Sequence, residues 1–355
     1  MKKWLSLAGV VLPLLILLLF VNIYVDPANV FHSVSEDVVK SVNAGKDTYV
    51  LGGNANEREV KKMLVETLPK DVDTVVIGPS LAMTIGADEY GKADGVYNLA
   101  VSNAGFNDVL NTFGMIIYNE IWPKNIVLCI DTKLFDPAAC SDDDRWMEQS
   151  DYAKIVLDEI GYSDYNIDES NNILGKIGKL FSISYFQGGI DYLRENGMGV
   201  LSQARAGVVN EFYVGPYFKG CDCSLVYAQS IINGDEKLVV EDANAYSMHD
   251  ISKGIGMEDM NREILEEILL YFQNEGVNVQ LFISPFAPAL WDKINKEDYP
   301  IFEEMERWAF EFAKVNGMTI GGSLNPYVLG VSNKDFYDAR HMRREKMGIC
   351  LEDRQ

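Results

Sequence analysis

The stretch DTVVIGPSLAMTIG, Asp73 to Gly86, predicts the core of the fold. Its residues Thr74–Ile77 are apolar or β-branched and indicate a buried strand. A Gly-Pro pair ends this strand, and Ser80 follows at the turn into a helix predicted over Leu81–Ile85. Open α/β sheets place their sites at this edge, and the N-terminus of a helix favours an oxyanion. Ser80 is therefore a candidate nucleophile, and the alternative is that it only caps the helix.

The composition excludes several classes of function. The chain has 355 residues, enough for one large α/β domain or two small ones, and 48% of them are apolar, which suffices for a sizeable core. Its net charge of −22 would repel a phosphate backbone, so we expect no nucleic-acid partner. The five cysteines form no CxxC pair and there are three histidines, so the sequence indicates no metal site.

The N-terminus predicts a membrane anchor. Lys2 and Lys3 come first, and the uncharged run from Trp4 to Val25 has the roughly 20 residues that a membrane-spanning helix requires. Because lysines stay on the cytoplasmic side, we expect a single-pass signal-anchor over residues 1–25 in the cell membrane. Residues 26–355 then form an extracytoplasmic domain. A cleaved signal peptide and a buried core helix are the alternatives.

Strands and helices alternate after the opening stretch. Further strands are predicted at Gly95–Val101 and Asn125–Asp131, with an amphipathic helix between them at Ala104–Glu120. This β-α-β-α-β order is typical of a parallel sheet with helical crossovers. We therefore expect an α/β fold of three layers, α/β/α, around a central, mostly parallel sheet.

Residues 136–255 lack this regularity and are rich in Asp, Asn, Gly, Ser and Tyr. We interpret them as an insertion or cap over the carboxyl edge of the sheet, with helical patches at Ile173–Asn196 and strand character at Val208–Tyr217. Periodic elements return afterwards as a helix, a strand, a second helix, a short strand and a terminal helix, predicted at Glu258–Asn274, Asn278–Phe286, Tyr299–Val315, Met318–Ile320 and Asp335–Gly348.

The segment DARH near the C-terminus holds Asp338 and His341 three residues apart. At this spacing the carboxylate of Asp338 can accept the Nδ1–H of His341, which leaves Nε2 to take a proton from a serine. The alternative is that Asp338 caps a helix while His341 faces solvent. Because Ser80 follows an early strand and DARH follows the last one, we expect both loops to converge at one edge of the sheet.

Four segments together resemble the ordered blocks of the SGNH (GDSL-like) hydrolase superfamily: TVVIGPSLAMTIG, VYNLAVSNAGFND, IVLCIDTKLF and DFYDARH. The chain is most similar to the membrane-anchored branch of the DltD, AlgJ and AlgX kind, and its N-terminal anchor followed by VDP fits that branch. The resemblance covers Asp73–Asp131 and, in outline, residues 278–341, while residues 136–255 match no family pattern. It implies an SGNH or flavodoxin-like fold and a protein that works outside the membrane, beside a membrane-bound O-acyltransferase, on a surface polymer.

The resemblance also implies roles for single residues. Ser80 matches the nucleophile, His341 the base and Asp338 the acid of the family. The backbone N–H of Ser80 and groups of Asn103, which stands where the family has a glycine, are expected to form the oxyanion hole. Two further positions depart from the pattern, because Asp131 stands where a catalytic asparagine is expected and Pro79 replaces a frequent aspartate.

These observations predict an extracytoplasmic serine-dependent acyl, and more specifically acetyl, transferase or esterase. It would act on cell-surface polysaccharide or another envelope polymer through an acyl-serine, a reaction that needs no metal or organic cofactor. Two alternatives stay open. One is a plain carbohydrate acetyl-esterase of the same fold, and the other is a non-catalytic membrane-anchored partner that positions a polymer or an acyltransferase.

Overall fold

A computed structural model gives the three-dimensional arrangement of most of the chain. It describes residues 2–26, 31, 33–51, 56–92, 95–136, 138, 143–167, 178, 180–202, 205–247, 251–252, 256–294 and 298–354. Every structural statement below concerns these residues.

A five-stranded sheet lies at the centre of the domain, and all of its strand pairs are parallel. In chain order the strands are Thr74–Ile77, Val96–Asn98, Asn125–Cys129, Asn278–Ile283 and Thr319–Gly322. All five strands were expected from the sequence, and the prediction of an α/β fold with a mostly parallel sheet is confirmed.

The order of these strands places the candidate site. Numbered along the chain within this sheet, their spatial order is 2-1-3-4-5, which is the flavodoxin-like order of doubly wound sheets. The strand order reverses between the first strand, Thr74–Ile77, and the third, Asn125–Cys129, which pair directly. Such a reversal opens a crevice at the carboxyl ends of the strands, where ligands bind in this class of sheet. Ser80 lies three residues after one of these two strands.

Both faces of the parallel sheet are buried under apolar side chains. Val75 and Ile77 belong to a large cluster on one face, whereas Val76, between them, belongs to a second cluster on the other. Successive side chains of a strand point to opposite faces, so the sheet is covered on both sides, as parallel sheets are. This arrangement is compatible with three layers.

The helices predicted at Ala104–Glu120, Glu258–Asn274 and Tyr299–Val315 agree with the structure to within a few residues, whereas Ser150–Glu159 and Glu236–Ala245 were not predicted. Phe113 and Phe272, from two of them, meet in the large cluster with ring centroids 5.2 Å apart. The helices are Lys2–Phe20, Ser35–Asn43, Glu57–Thr67, Phe106–Tyr118, Ser150–Glu159, Ile183–Asn196, Gln229–Ile232, Glu236–Ala245, Asp259–Asn274, Pro288–Trp291, Ile301–Asn316, Pro326–Leu329 and Gly348–Leu351.

The terminal helix predicted over Asp335–Gly348 is wrong. Residues 336–343 instead form a tight loop, closed by a bridge between Phe336 and Met342 and by the Tyr337 N–H, which donates to the carbonyl of His341 at 2.8 Å. Only the short helix Gly348–Leu351 follows. The loop is fixed by long-range partners, which a local sequence pattern does not contain.

Part of the region 136–255 builds a second, antiparallel sheet with a strand from the N-terminal part of the chain. Thr48–Val50 pairs with Ala206–Val208 on one side and meets Tyr217–Phe218 on the other, which in turn pairs with Leu225–Val226. The strand predicted over Val208–Tyr217 is therefore wrong in its middle, because only its two ends lie in strands. The predicted helical patch at 173–196 begins outside the described residues, and its described part contains Ile183–Asn196.

The N-terminal helix Lys2–Phe20 continues into a π-helical turn, Val21–Val25. That turn is bound to the domain, since Asn22 Nδ2 donates to the carbonyls of Leu180 and Ser182 at 2.9 and 3.0 Å. Within the described part of the chain, no helix combines the length and the apolar content needed to cross a bilayer. The side chains of residues 1–10 lie outside the description, and the membrane anchor stays a prediction.

Candidate active site

Ser80 is held at the carboxyl end of its strand by a sharp turn. Gly78 has a φ of 146°, and a Cβ there would lie 2.6 Å from the Cβ of Cys129 on the neighbouring strand, so only glycine fits. Pro79 is extended, and Ser80 opens one 3-10 turn, Ser80–Ala82. The helix predicted over Leu81–Ile85 is therefore wrong. A single 3-10 turn has a negligible macrodipole. This turn can therefore stabilise an anion only through its free N–H groups.

The turn after Ser80 is clamped by Asn98, a residue that the sequence reasoning passed over. Its buried side chain donates from Nδ2 to the carbonyls of Ala82 and Ile85, both at 2.8 Å, and its Oδ1 accepts from the N–H of Ala100 at 3.0 Å. The clamp joins the serine turn to the second strand. An asparagine in the predicted strand Gly95–Val101 was a signal, because buried polar side chains in strands require partners.

Ser80, His341 and Asp338 form one chain of hydrogen bonds. Ser80 Oγ lies 2.8 Å from His341 Nε2. His341 Nδ1 lies 2.7 and 3.0 Å from the two carboxylate oxygens of Asp338. This network assigns the proton of the imidazole to Nδ1, where it donates to Asp338, and leaves Nε2 to accept from Ser80. The two loops converge at one sheet edge, and the chain's other histidines, His32 and His249, lie outside the described residues.

The Asp338 carboxylate is stabilised in its ionised form. Burial raises the pKa of this carboxyl group. The hydrogen bond and charge of His341 and the backbone N–H groups of Arg340 and His341 have the larger effect, and they lower the pKa to about 2. Both of those N–H groups donate to Asp338 Oδ1 at 2.8 Å. Asp338 therefore caps its own loop and orients the imidazole at the same time, so the two alternatives posed by the sequence are combined.

Asn103 lies beside Ser80 with its backbone in the left-handed region, at a φ of 53°. Asparagine adopts this conformation more readily than other residues with a side chain, which explains why it can stand where a glycine is expected. In the described part of the chain, the backbone N–H groups of Ser80 and Asn103 have no hydrogen-bond acceptor. These are the two donors that the sequence predicted for an oxyanion.

The side-chain amide of Asn103 is engaged at both ends. Its Nδ2 donates to Asp143 at 2.8 Å, and its Oδ1 accepts from the ammonium group of Lys133. Asp143 is further held by Arg145, at 2.8 and 2.5 Å. Burial raises the pKa of Asp143, but the hydrogen bonds from Arg145 and Asn103 outweigh it and hold this pKa well below its usual range. The amide is thus fixed in one orientation, and its carbonyl is not a donor.

Asp131, the second departure from the family pattern, is paired with Arg340 of the DARH segment. Arg340 Nη2 lies 2.5 Å from Asp131 Oδ2, and both side chains are more than nine-tenths buried. The guanidinium also covers the ring of Phe286, 5.0 Å from its centroid. This pair joins the end of the third strand to the loop that carries the acid and base.

A cleft of about 100 Å³ opens at these residues. This space is large enough for several water molecules or for a small acyl group. The cleft is lined by Pro79, Ser80, Leu81, Asn103, Asp131, Lys133, Tyr246, Arg340 and His341.

Two aromatic residues of the region 136–255 belong to this site, and sequence reasoning did not single them out. Tyr246 lines the cleft, and the ring of Tyr227 lies edge-on to the imidazole of His341, 6.1 Å between centroids. Burial raises the pKa of Tyr227, so its hydroxyl stays protonated. Among the described residues, no three His, Cys, Asp or Glu side chains come together as metal ligands would.

No protein-family model matches the chain, and no curated protein matches it.

Proposed function

We propose that the protein is a serine-dependent acyltransferase or esterase of the SGNH type. The observation that carries this proposal is the 2.8 Å hydrogen bond between Ser80 Oγ and His341 Nε2, with Asp338 on the far side of the imidazole. A nucleophile, a base and an orienting acid in contact, in a cleft with free N–H donors, are the parts that acyl transfer requires.

In the first step Ser80 Oγ attacks the carbonyl carbon of an acyl ester. His341 Nε2 takes the hydroxyl proton, and Asp338 stabilises the imidazolium that forms. The carbonyl oxygen becomes an oxyanion, which the N–H groups of Ser80 and Asn103 stabilise. The tetrahedral intermediate then collapses. The bond to the leaving alkoxide breaks, that oxygen receives the proton from His341, and an acyl-serine is left.

In the second step His341 deprotonates an acceptor hydroxyl, whose oxygen attacks the acyl-serine. The acyl group passes to that oxygen and the proton returns to Ser80. If the acceptor is a polysaccharide or another envelope polymer, the protein is a transferase, and if it is water, an esterase. A cleft of about 100 Å³ has room for an acetyl group, which is the acyl group we propose.

The assignment to the SGNH type is supported by the strand order and by the position of the site. The nucleophile follows the first strand of the sheet and the acid-base pair follows the last, as in the sequence blocks of that superfamily. Fold likeness alone does not define chemistry, so the argument depends on the three side chains and not on the sheet.

We further propose that the domain is extracytoplasmic and anchored by its N-terminal segment. Most apolar side chains of residues 11–20 are exposed; the exposed fraction is 60% for Leu14 and 58% for Ile16. An apolar surface of this kind is typical of a segment that contacts lipid or a partner protein. The two N-terminal lysines orient the segment with the domain outside. A surface polymer as acceptor and a membrane-bound O-acyltransferase as donor partner then follow from the resemblance to the membrane-anchored branch.

The test is hydrolysis of p-nitrophenyl acetate by the purified full chain, with and without an added polysaccharide acceptor. We expect Ser80→Ala to abolish activity and to prevent labelling by a fluorophosphonate, while Ser230→Ala, at an exposed helix position, leaves both unchanged. A transferase moves the acyl group to the acceptor, whereas an esterase releases it as a carboxylic acid. If wild type and Ser80→Ala show the same activity, the protein is better described as a non-catalytic partner.

A further inference from the structure

We propose that Lys133 is a further catalytic residue, whose ammonium group stabilises the oxyanion formed on attack by Ser80. This inference rests on the proposed acyl-transfer function. Lys133 would supply a hydrogen-bond donor and a positive charge on the side of the cleft where the SGNH pattern has an asparagine and this chain has Asp131.

Lys133 is placed in the cleft from both of its ends. Its backbone N–H donates to Asp131 Oδ1 at 3.0 Å, which starts the short 3-10 turn after the third strand. Its ammonium group donates to the Oδ1 of Asn103, and its side chain lines the cleft together with Ser80. A lysine side chain has many rotamers, and these two contacts remove most of that freedom. One of three N–H bonds is used, which leaves two for a ligand.

The positive charge of Lys133 has no carboxylate partner within the described ranges. The two acidic residues that share hydrogen bonds with Lys133 or Asn103 have other cations as partners, since Asp131 pairs with Arg340 and Asp143 with Arg145. Acidic residues outnumber basic ones in this chain, whose net charge is −22, so most ammonium groups have carboxylates available as partners. An ammonium group without one, beside the nucleophile, is therefore unexpected.

Charge counting shows what this ammonium does during the reaction. A general base has to be neutral before it takes a proton, so His341 carries no charge in the form that reacts. Asp131 and Arg340 neutralise each other, and the unpaired charges at the site before attack are then Asp338 and Lys133. Attack adds an oxyanion and an imidazolium, so the total stays at zero. Without Lys133, the oxyanion would form in a site that already has a net negative charge, which raises its free energy at low dielectric.

Ser80 and Lys133 line the same cleft, together with Asn103, whose side chain binds the ammonium group. A carbonyl oxygen bound at Ser80 therefore lies in the space that the Lys133 side chain borders. Asp131 is an ionised acceptor and cannot donate to an oxyanion. Lys133, two residues further on, can.

The experiment compares the kcat and KM of Lys133→Met, Lys133→Gln and Lys133→Arg on a neutral ester, p-nitrophenyl acetate. Loss of one oxyanion donor costs on the order of 10²-fold in kcat, and we expect this for Lys133→Met and Lys133→Gln, with KM changed less than about threefold. Lys133→Arg, which retains the charge, should recover most of the loss. Lys314→Met, which removes an exposed lysine, should match the wild type.

Several results would overturn the inference. One is a kcat of Lys133→Met within about twofold of the wild type while Ser80→Ala is inactive, which leaves the proposed function intact. Another is a raised KM on an anionic succinyl ester with an unchanged kcat on the neutral one, since Lys133 would then bind substrate charge. A Ser80→Ala variant as active as the wild type refutes both proposals. Thermal unfolding of each variant separates lost folding from lost chemistry, and Lys133→Gln serves if Lys133→Met fails to fold.

Discussion

The Asp131–Arg340 pair gives the prediction with the largest stability effect. Replacing Asp131 by Asn keeps the size of the side chain and the acceptor for the Lys133 N–H, but removes the charge that faces the guanidinium. Because both partners are more than nine-tenths buried, the change leaves an uncompensated buried charge, which costs about 3–5 kcal/mol of unfolding free energy. Arg340→Met leaves the opposite charge unpaired and should cost a similar amount.

A double-mutant cycle in urea unfolding of the full chain tests this. Asp131→Asn with Arg340→Met leaves no unpaired charge, so the double variant should be more stable than the sum of the single losses predicts, by at least about 2 kcal/mol. Asp151→Asn, at a side chain that is 93% exposed, is the matched control and should change stability by less than about 0.5 kcal/mol. The single variants should also lose kcat, because Arg340 lies next to His341. A loss below about 1 kcal/mol for Asp131→Asn, or additive single losses, contradicts the reasoning.

Four more outcomes are expected for residues that hold the site in place. Gly78→Ala should fail to accumulate as folded protein or lose several kcal/mol, since its Cβ would meet Cys129 at 2.6 Å; a wild-type melting temperature refutes this. Asn98→Ala should lose at least about 2 kcal/mol and also kcat, because two buried carbonyls lose their donor, and unchanged urea unfolding contradicts it. Asp338→Asn should lower kcat by up to about 10⁴-fold, because an amide in place of the carboxylate favours the wrong tautomer of the His341 imidazole. Because the pKa of Asp338 is lowered, its ionised form stabilises the fold at pH values above 3.8, the ordinary pKa of this carboxyl group, and this contribution is lost as the pH falls towards about 2. The difference in melting temperature between wild type and Asp338→Asn should therefore shrink between these two pH values. A constant difference counts against the assignment.

The parallel sheet and the paired loops were predictable because their signals are local. A short apolar run such as Thr74–Ile77 followed by Gly-Pro contains the strand and its end within a few residues. The three-residue spacing of Asp338 and His341 likewise limits how far apart the two side chains can lie. Right-handed crossovers then bring the ends of parallel strands to one edge, so the meeting of these loops with Ser80 needed no further information.

The parts that could not be predicted depend on contacts between distant residues. A strand was expected at Tyr49–Gly53 and is found at Thr48–Val50, but its pairing with Ala206–Val208 joins segments far apart in the chain, and no local pattern contains that pairing. Asp131 and Arg340 are 209 positions apart, and no spacing rule connects them. The predicted terminal helix failed for the same reason, since the loop that replaces it is held by partners elsewhere in the chain.

The positions at which the chain differs from the SGNH pattern that it resembles are physically connected to one another. An ionised carboxylate at Asp131 requires a buried cation, and Arg340 supplies it from within the DARH segment. Once Asp131 is ionised it can only accept hydrogen bonds, so the donor expected at that strand end has to come from another residue. Asn103 occupies the left-handed position of a glycine and adds a side-chain carbonyl, to which the ammonium of Lys133 binds. If Lys133 is the donor on this side of the cleft, as we propose, it stands in for the neutral amide of the SGNH pattern, and the acylation rate of Lys133→Gln relative to Lys133→Arg measures what its charge contributes.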